Sequence, residues 1–271
     1  MNLKRIITGL IGLPLVAIVF IFGNKYIMDI LFTIVAMFAM YEYQKCVSTK
    51  SKTIKWISYL SVLVIAFIHT IPIEILEKIV LISIPVLLLV LFLHIIVSDM
   101  KINFEHISYT LFGIIYISAF IAFLPMIYGL EKNISGKILI WFVIFSAWGT
   151  DIFAYFVGCK FGKTKFSKVS PKKSVEGCIG GTVGSILINL LYVYCLNRFG
   201  GFEISYLTIG LICFALSIIG QIGDFSASCI KRYFDVKDFS ELFPGHGGMI
   251  DRIDSVMFIA PFAYILFTMI I

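Results

Sequence analysis

Runs of about twenty apolar residues recur along nearly the whole chain, the length an α-helix needs to cross a bilayer. Nine segments meet it: 6–23, 26–44, 54–72, 76–98, 107–129, 137–158, 179–197, 204–223 and 252–270. Hydrocarbon offers no water to satisfy backbone polar groups, so such segments fold as helices and not as open strands. Composition agrees. Of the 271 residues 60% are hydrophobic and 14% charged, against about 45–50% and 25% in soluble domains. The expected fold is therefore an all-α integral membrane protein, a polytopic bundle of about nine transmembrane helices in the lipid bilayer. Connections are short, with no soluble domain, repeat or low-complexity stretch. The first segment follows Lys4 and Arg5 as a signal peptide would. It lacks a small-residue cleavage site and reads as a retained helix.

Charge orients the bundle. The loops after the second, fourth, sixth and eighth segments carry 15 of the 22 Lys and Arg residues, so they are expected on the cytoplasmic side. Lys4 and Arg5 fall on the other side by parity, against this trend. The net charge of +6 is thus a topology signal, not the mark of a nucleic-acid partner. Six Cys residues show no CxxC pairing or metal-ligand spacing and read as small hydrophobes.

Two cytoplasmic stretches differ from ordinary loops: "CKFGKTKFSKVSPKKSVEGCIGG" (159–181) and residues 224–254, which end in "FPGHGGMIDRID". Asp224, Ser228, Lys231 and Arg232 fall at offsets 0, 4, 7 and 8, one face of a continuous helix. Phe243-Pro244-Gly245 breaks that helix. The last span then begins near Asp251, with Asp254 and Ser255 on the same face. Carboxylates beside Lys and Arg at a membrane surface point to a metal-bound phosphate. Mg²⁺ takes one or two carboxylates and completes its shell with water and phosphate oxygens, while Lys and Arg neutralise the remaining charge. Gly245, Gly247 and Gly248 would let backbone N–H groups approach an anion ahead of a helix N-terminus. His246 would donate to a phosphate oxygen or assist a proton transfer. Interfacial anchoring or helix capping explains any one of these residues, but not the set.

The stretch "SCIKRYFDVKDFSELFPGHGGMIDRID" (Ser228 to Asp254) closely resembles the signature of the phosphatidate cytidylyltransferases, the CDP-diacylglycerol synthases. Ser228, Lys231, Arg232, Lys237, Asp238, Ser240, Pro244, His246, Gly247, Gly248, Asp251, Arg252 and Asp254 all match. Asp151 to Gly177 resembles a second characteristic stretch, with Ser174 where Thr is common. The resemblance covers roughly the last 120 residues.

It implies an enzyme that transfers CMP from CTP to phosphatidic acid, giving CDP-diacylglycerol and pyrophosphate by in-line attack at the α-phosphorus. The cofactor implied is Mg²⁺, with a second cation left open. By this matching Asp224 and Asp251 are Mg²⁺ ligands, with Asp254 and Asp238 supporting or replacing them. Asp224, Asp251, Lys231 and Arg232 form the catalytic group. Ser228, Lys231, Arg232 and Arg252 contact phosphates, and Ser170, Lys172, Lys173 and Ser174 take the remaining phosphate charge. Lys237, His246, Gly247 and Gly248 complete the substrate contacts. Residues 1–135 would be a five-span scaffold, and 136–271 a four-span catalytic region with loops 159–178 and 224–251. The expected location is a bacterial inner membrane, and the loop charges put the site on its cytoplasmic face.

Asp151 lies inside the sixth segment, where an acid costs at least ~2.5 kcal/mol; it is either functional or a polar helix–helix contact. Glu176 follows Lys172 by four and Lys173 by three, the spacing of a local ion pair. Gly177, Gly181 and Ser185, like Gly180 and Gly184, have the small-xxx-small spacing of close helix packing; such faces also permit a homodimer. "GCKFGKT" is not a P-loop, since its glycines bracket three residues and a membrane span precedes it. His69, His94 and His106 receive no ligand role. For Glu42, in "MYEYQK", interfacial placement and a functional role both stand. Two other functions fit less well. One is a related CTP-dependent enzyme on another lipid, such as a polyprenol kinase or an archaeal-type CDP-lipid synthase. The other is an anion transporter, whose site would lie near the midplane and not at one face.

Overall fold

The computed structural model describes residues 14, 16–167, 170–171, 173–243 and 247–270, and every regular element among them is a helix. Seven of these helices are long and apolar enough to span a membrane. They are α1 (Lys25–Val47), α3 (Ile73–Val97), α4 (Phe104–Tyr128), α5 (Gly136–Phe161), α6 (Val175–Phe199), α7 (Tyr206–Tyr233) and α8 (Ile250–Ile270). Polar N-caps start several of them. Asn24 accepts from Ile27 N–H at 2.9 Å at the head of α1, and Asn103 and His106 form a reciprocal capping box at the head of α4, satisfying N–H groups that have no partner inside the helix.

The first expected segment, 6–23, lies largely outside the described residues. The third, 54–72, differs from expectation. It forms only α2 (Lys55–Leu63) followed by a 3₁₀ turn, Val64–Phe67. Its start is tied to α4 and its far end to α1. Ile54 N–H donates to Thr110 Oγ1 at 2.9 Å. At the far end His69 donates its backbone N–H to Asp29 Oδ2 at 3.1 Å, with its ring Nδ1 2.7 Å from Oδ1. The 3₁₀ turn rises about 2.0 Å per residue against 1.5 Å for an α-helix, so fewer residues cover the distance. Asp29 is fully buried, and His69 is its partner.

The chain divides into two compact units, Met1–Met126 with Asp238–Ile250, and Ile127–Lys237 with Asp251–Ile271. In the first, Ile54, Ile57, Leu91, Ile95 and Ile107 form an apolar core between α2, α3 and α4. Tyr43 of α1 is buried against Gly113, where an added Cβ would stand 2.5 Å from its ring. Its phenol donates to the Tyr109 carbonyl at 2.8 Å. Tyr43→Phe removes only that bond, so it should cost about 1 kcal/mol, read as a small fall in the unfolding midpoint in detergent with helix content unchanged.

In the second unit α5 and α6 pack most closely. A Cβ on Gly181 would lie 2.7 Å from the Thr150 carbonyl oxygen, and one on Gly184 would overlap the Phe153 ring. The small-residue face expected to permit a homodimer is thus occupied inside the chain by α5. Hydroxyls and amides then join three helices. Thr150 and Ser217 oxygens are 2.8 Å apart, Ser217 donates to Thr182 at 3.2 Å, Gln221 donates to Thr182 at 2.9 Å, and Asn189 donates to Ser146 Oγ at 3.2 Å. On α7, Gly223 approaches α8 so closely that a Cβ would stand 2.8 Å from the Asp254 carbonyl oxygen. That contact is one residue from Asp224.

Candidate active site

The described part of the loop between α5 and α6 is tied to the start of α6. Phe166 N–H donates to the Lys173 carbonyl and Val175 N–H to the Thr164 carbonyl, both at 3.0 Å. Ser174 caps α6 by accepting from Gly177 N–H at 3.1 Å. Among the described residues Glu176 does not pair with Lys173, and the alternative partner, Lys172, lies outside them. The Glu176 carboxylate accepts the backbone N–H groups of Lys163 and Thr164 at 3.2 Å, because the loop presents these donors to the first turn of α6. Lys173 is left to reach across the unit. Its ammonium pairs with Asp224 and lies 4.5 Å from the Phe225 ring centroid, which stacks on Phe166 at 4.6 Å.

Two turns beyond Asp224 on α7, Lys231 donates to Asp251 Oδ1 at 2.5 Å, with only 13% and 7% of the two side chains exposed. The continuous α7 that the offsets require is present, as is the start of α8 beside Asp251. Asp254 is buried and accepts from Ser255 N–H at 2.7 Å. Asp151 lies within electrostatic reach of Lys173 and Arg252, and Lys173 within reach of Asp151, Asp254 and Lys231. Burial pulls the Lys173 ammonium below the ordinary lysine range, and the Asp151 and Asp254 charges partly oppose that shift. Asp151, the isolated acid of the sixth segment, thus joins the cluster.

The donor set fits a magnesium ion held in part by the protein. Four carboxylates, Asp151, Asp224, Asp251 and Asp254, gather around Lys173, Lys231 and Arg252. No group of three His, Cys, Asp or Glu side chains among the described residues could hold a metal by itself. Mg²⁺ needs one or two carboxylates when substrate phosphates supply the rest, so the set suits a metal–nucleotide and not a closed protein cage.

The other expected site residues are dispersed. Ser228 is half-buried on α7, and Arg232 and Lys237 are exposed. The Ser170 carbonyl accepts from Lys173 N–H. Lys172 and His246 lie outside the described residues. Asp238, Gly247 and Gly248 belong to the other compact unit. Gly247 has φ +83°, a conformation that favours glycine, and its carbonyl accepts from Phe243 N–H at 3.0 Å.

In that unit the structure reveals a role for Glu42 that the local sequence left open. Only 1% exposed, its carboxylate accepts from Ser240 Oγ at 2.5 Å, Met249 N–H at 2.8 Å and Ile250 N–H at 2.9 Å. The N–H groups of Met249 and Ile250, just after the glycine-rich segment expected to approach a phosphate, are here taken by an acid of the chain itself. The rule that flags Asp151, an acid inside an apolar helix, also flags Glu42 near the end of another.

An apolar groove of about 720 Å³ opens between α6 and α7, lined among others by Phe166, Ile179, Val183, Phe214, Ile218 and Phe225. Phe225, whose ring lies under Lys173, links groove and cluster.

The profile described as the cytidylyltransferase family matches residues 3–270. Relatives carrying the name phosphatidate cytidylyltransferase include those of Thermotoga maritima, 40% identical over 157 residues (57% of either chain), and Bacillus subtilis, 36% identical over 165 residues (60% of this chain and 59% of the relative). That of Synechocystis is 38% identical over 143 residues, 52% of this chain and 47% of the relative. The matched stretch therefore spans less than two thirds of these relatives' length.

Proposed function

The chain belongs to the cytidylyltransferase family, and on that premise we propose that it transfers CMP from CTP to phosphatidic acid, releasing pyrophosphate. The observation that carries this reading is a lysine–aspartate cluster at the end of an apolar groove. A nucleotide and a lipid phosphate need such a place to meet: charge for the phosphates, and an apolar channel of a size common for ligand sites for the acyl chains. The names of the relatives support the same substrates.

In the reaction a phosphatidate oxygen forms a bond to the α-phosphorus of CTP while the bond to the β-phosphate oxygen breaks. The electron pair leaves with pyrophosphate. A phosphatidate phosphate is already nucleophilic near neutral pH, so the chain has no proton to abstract; its task is orientation and charge neutralisation. Lys173, Lys231 and Arg252 would face the phosphates. Asp224 and Asp251 would hold Mg²⁺, with Asp254 and Asp151 behind them, and the ion when bound would neutralise charge on the α-phosphate and the leaving group. Lys173 and Lys231 compensate these carboxylates in the structure, so each acid–lysine pair is positioned to exchange its partner for substrate. The excess of basic residues in the loops after the even-numbered segments favours a cytoplasmic opening, and the bacterial relatives favour the inner membrane.

Purified protein in detergent with labelled CTP, phosphatidate and Mg²⁺ should form CDP-lipid and pyrophosphate in equal amounts, and EDTA should stop both. Turnover of CTP with a polyprenol and not with phosphatidate would move the assignment to a related lipid-directed enzyme. A folded sample with no nucleotide turnover would end the enzymatic reading.

A further inference from the structure

We propose that Glu42 is a positioning residue: it acts as an internal anion at the N-terminus of α8 and so fixes the direction in which Asp251 and Arg252 leave the loop. The role in turnover rests on the reaction proposed above.

Three hydrogen bonds converge on this carboxylate. They come from both ends of one loop: Ser240 at its start, and Met249 and Ile250 at its close. Ser240 Oγ also accepts from Leu242 N–H at 3.1 Å, and Phe243 and Gly247 form an antiparallel bridge between the two ends. Ile250 is the first residue of α8. A helix start presents N–H groups without intrahelical partners and a partial positive charge, which a carboxylate satisfies on both counts. Charge-assisted bonds of this kind are also the stronger ones.

An interfacial anchor would be solvated, whereas Glu42 is 1% exposed. Gly248 reports how tightly the carboxylate is seated, since a Cβ there would stand 2.5 Å from Oε2. Any larger residue displaces the acid. Asp251 and Arg252 follow Ile250 directly in the same helix, so the register at which α8 begins sets where their side chains start. Glu42 also withholds the Met249 and Ile250 N–H groups from substrate phosphate.

The test compares full-length wild type, Glu42→Asp, Glu42→Gln and Glu42→Ala in detergent by hydrogen–deuterium exchange and by CMP-transfer kinetics. Loss of the carboxylate should speed exchange over 238–254 about tenfold or more in Glu42→Gln and Glu42→Ala, while the other helices keep their protection. kcat should fall about 10- to 100-fold, the scale of a misplaced catalytic group, with KM for CTP changed far less. Glu42→Asp should recover part of kcat, and added acetate should restore part of the activity of Glu42→Ala, which a packing role would not allow. Unchanged exchange overturns the clamp. Faster exchange with wild-type kcat overturns the positioning role. Should Glu42→Ala fail to fold, Glu42→Gln and Glu42→Asp carry the same comparison. A wild type that does not turn over CTP removes the proposed reaction, while exchange still decides the clamp.

Discussion

Asp251→Asn should lower CMP transfer by about 10²–10³-fold, the usual effect of removing one preorganised charged contact from a reacting phosphate or its metal. Asn keeps the volume of Asp251 and loses its charge. Lys231, whose side chain is only 13% exposed, then keeps an ammonium without its nearest counterion, a situation that is destabilising as well as inactivating. Two measurements separate the effects. Thermal unfolding in detergent reports the stranded cation, and Lys231→Met combined with Asp251→Asn should recover stability without recovering turnover. The Mg²⁺ concentration for half-maximal rate reports the ligand role and should rise steeply in any residual activity of Asp251→Asn. A variant with turnover within about threefold of wild type would remove Asp251 from the catalytic group.

The second large effect is on folding. Gly181→Leu should destabilise the second unit at the upper end of the ~1–3 kcal/mol range for overpacking, or beyond it. Its Cβ would meet the Thr150 carbonyl oxygen at 2.7 Å and the Ala154 methyl at 3.0 Å. The first of these is helix backbone and cannot rotate away. Gly210, inside α7, supplies the contrast, with a single Leu190 atom at 3.9 Å. Gly210→Ala should therefore be neutral or stabilise by about 0.5–1 kcal/mol through helix propensity. Equal effects of the two substitutions on detergent unfolding would show that glycine content, and not the α5–α6 contact, governs this unit.

Much of the fold follows from the length of the apolar runs, because the bilayer leaves the backbone few choices. The 54–72 segment shows the limit. A window of apolar residues cannot register that the α-helix gives way to a 3₁₀ turn and that His69 fixes its end on Asp29, forty positions away. Helical offsets placed Asp224 and Lys231 on one face, and the acid at the head of α8 was visible beside its chain break. Lys173 read as a phosphate contact and Asp224 as a metal ligand. Their pairing joins residues 51 apart through a loop tied down by Glu176, and no local pattern encodes it. Glu42 is the extreme case. Its three donors lie 198 to 208 positions away, so the acid is visible in the sequence and its purpose is not.

The polar ladder between α5, α6 and α7 bears on how the chain is made. Thr150 donates to the Ser146 carbonyl at 2.6 Å and Asn189 to the Ser185 carbonyl at 2.9 Å, each within its own helix. Local bonds of this kind let a helix enter the bilayer singly without exposing an unsatisfied donor. Once neighbours have arrived, the same groups recognise specific oxygens across the interface. Helix choice is then written in a few hydroxyls and amides, while the lipid-facing Ile, Leu and Phe stay free to drift with the thickness and fluidity of whatever membrane the cell maintains.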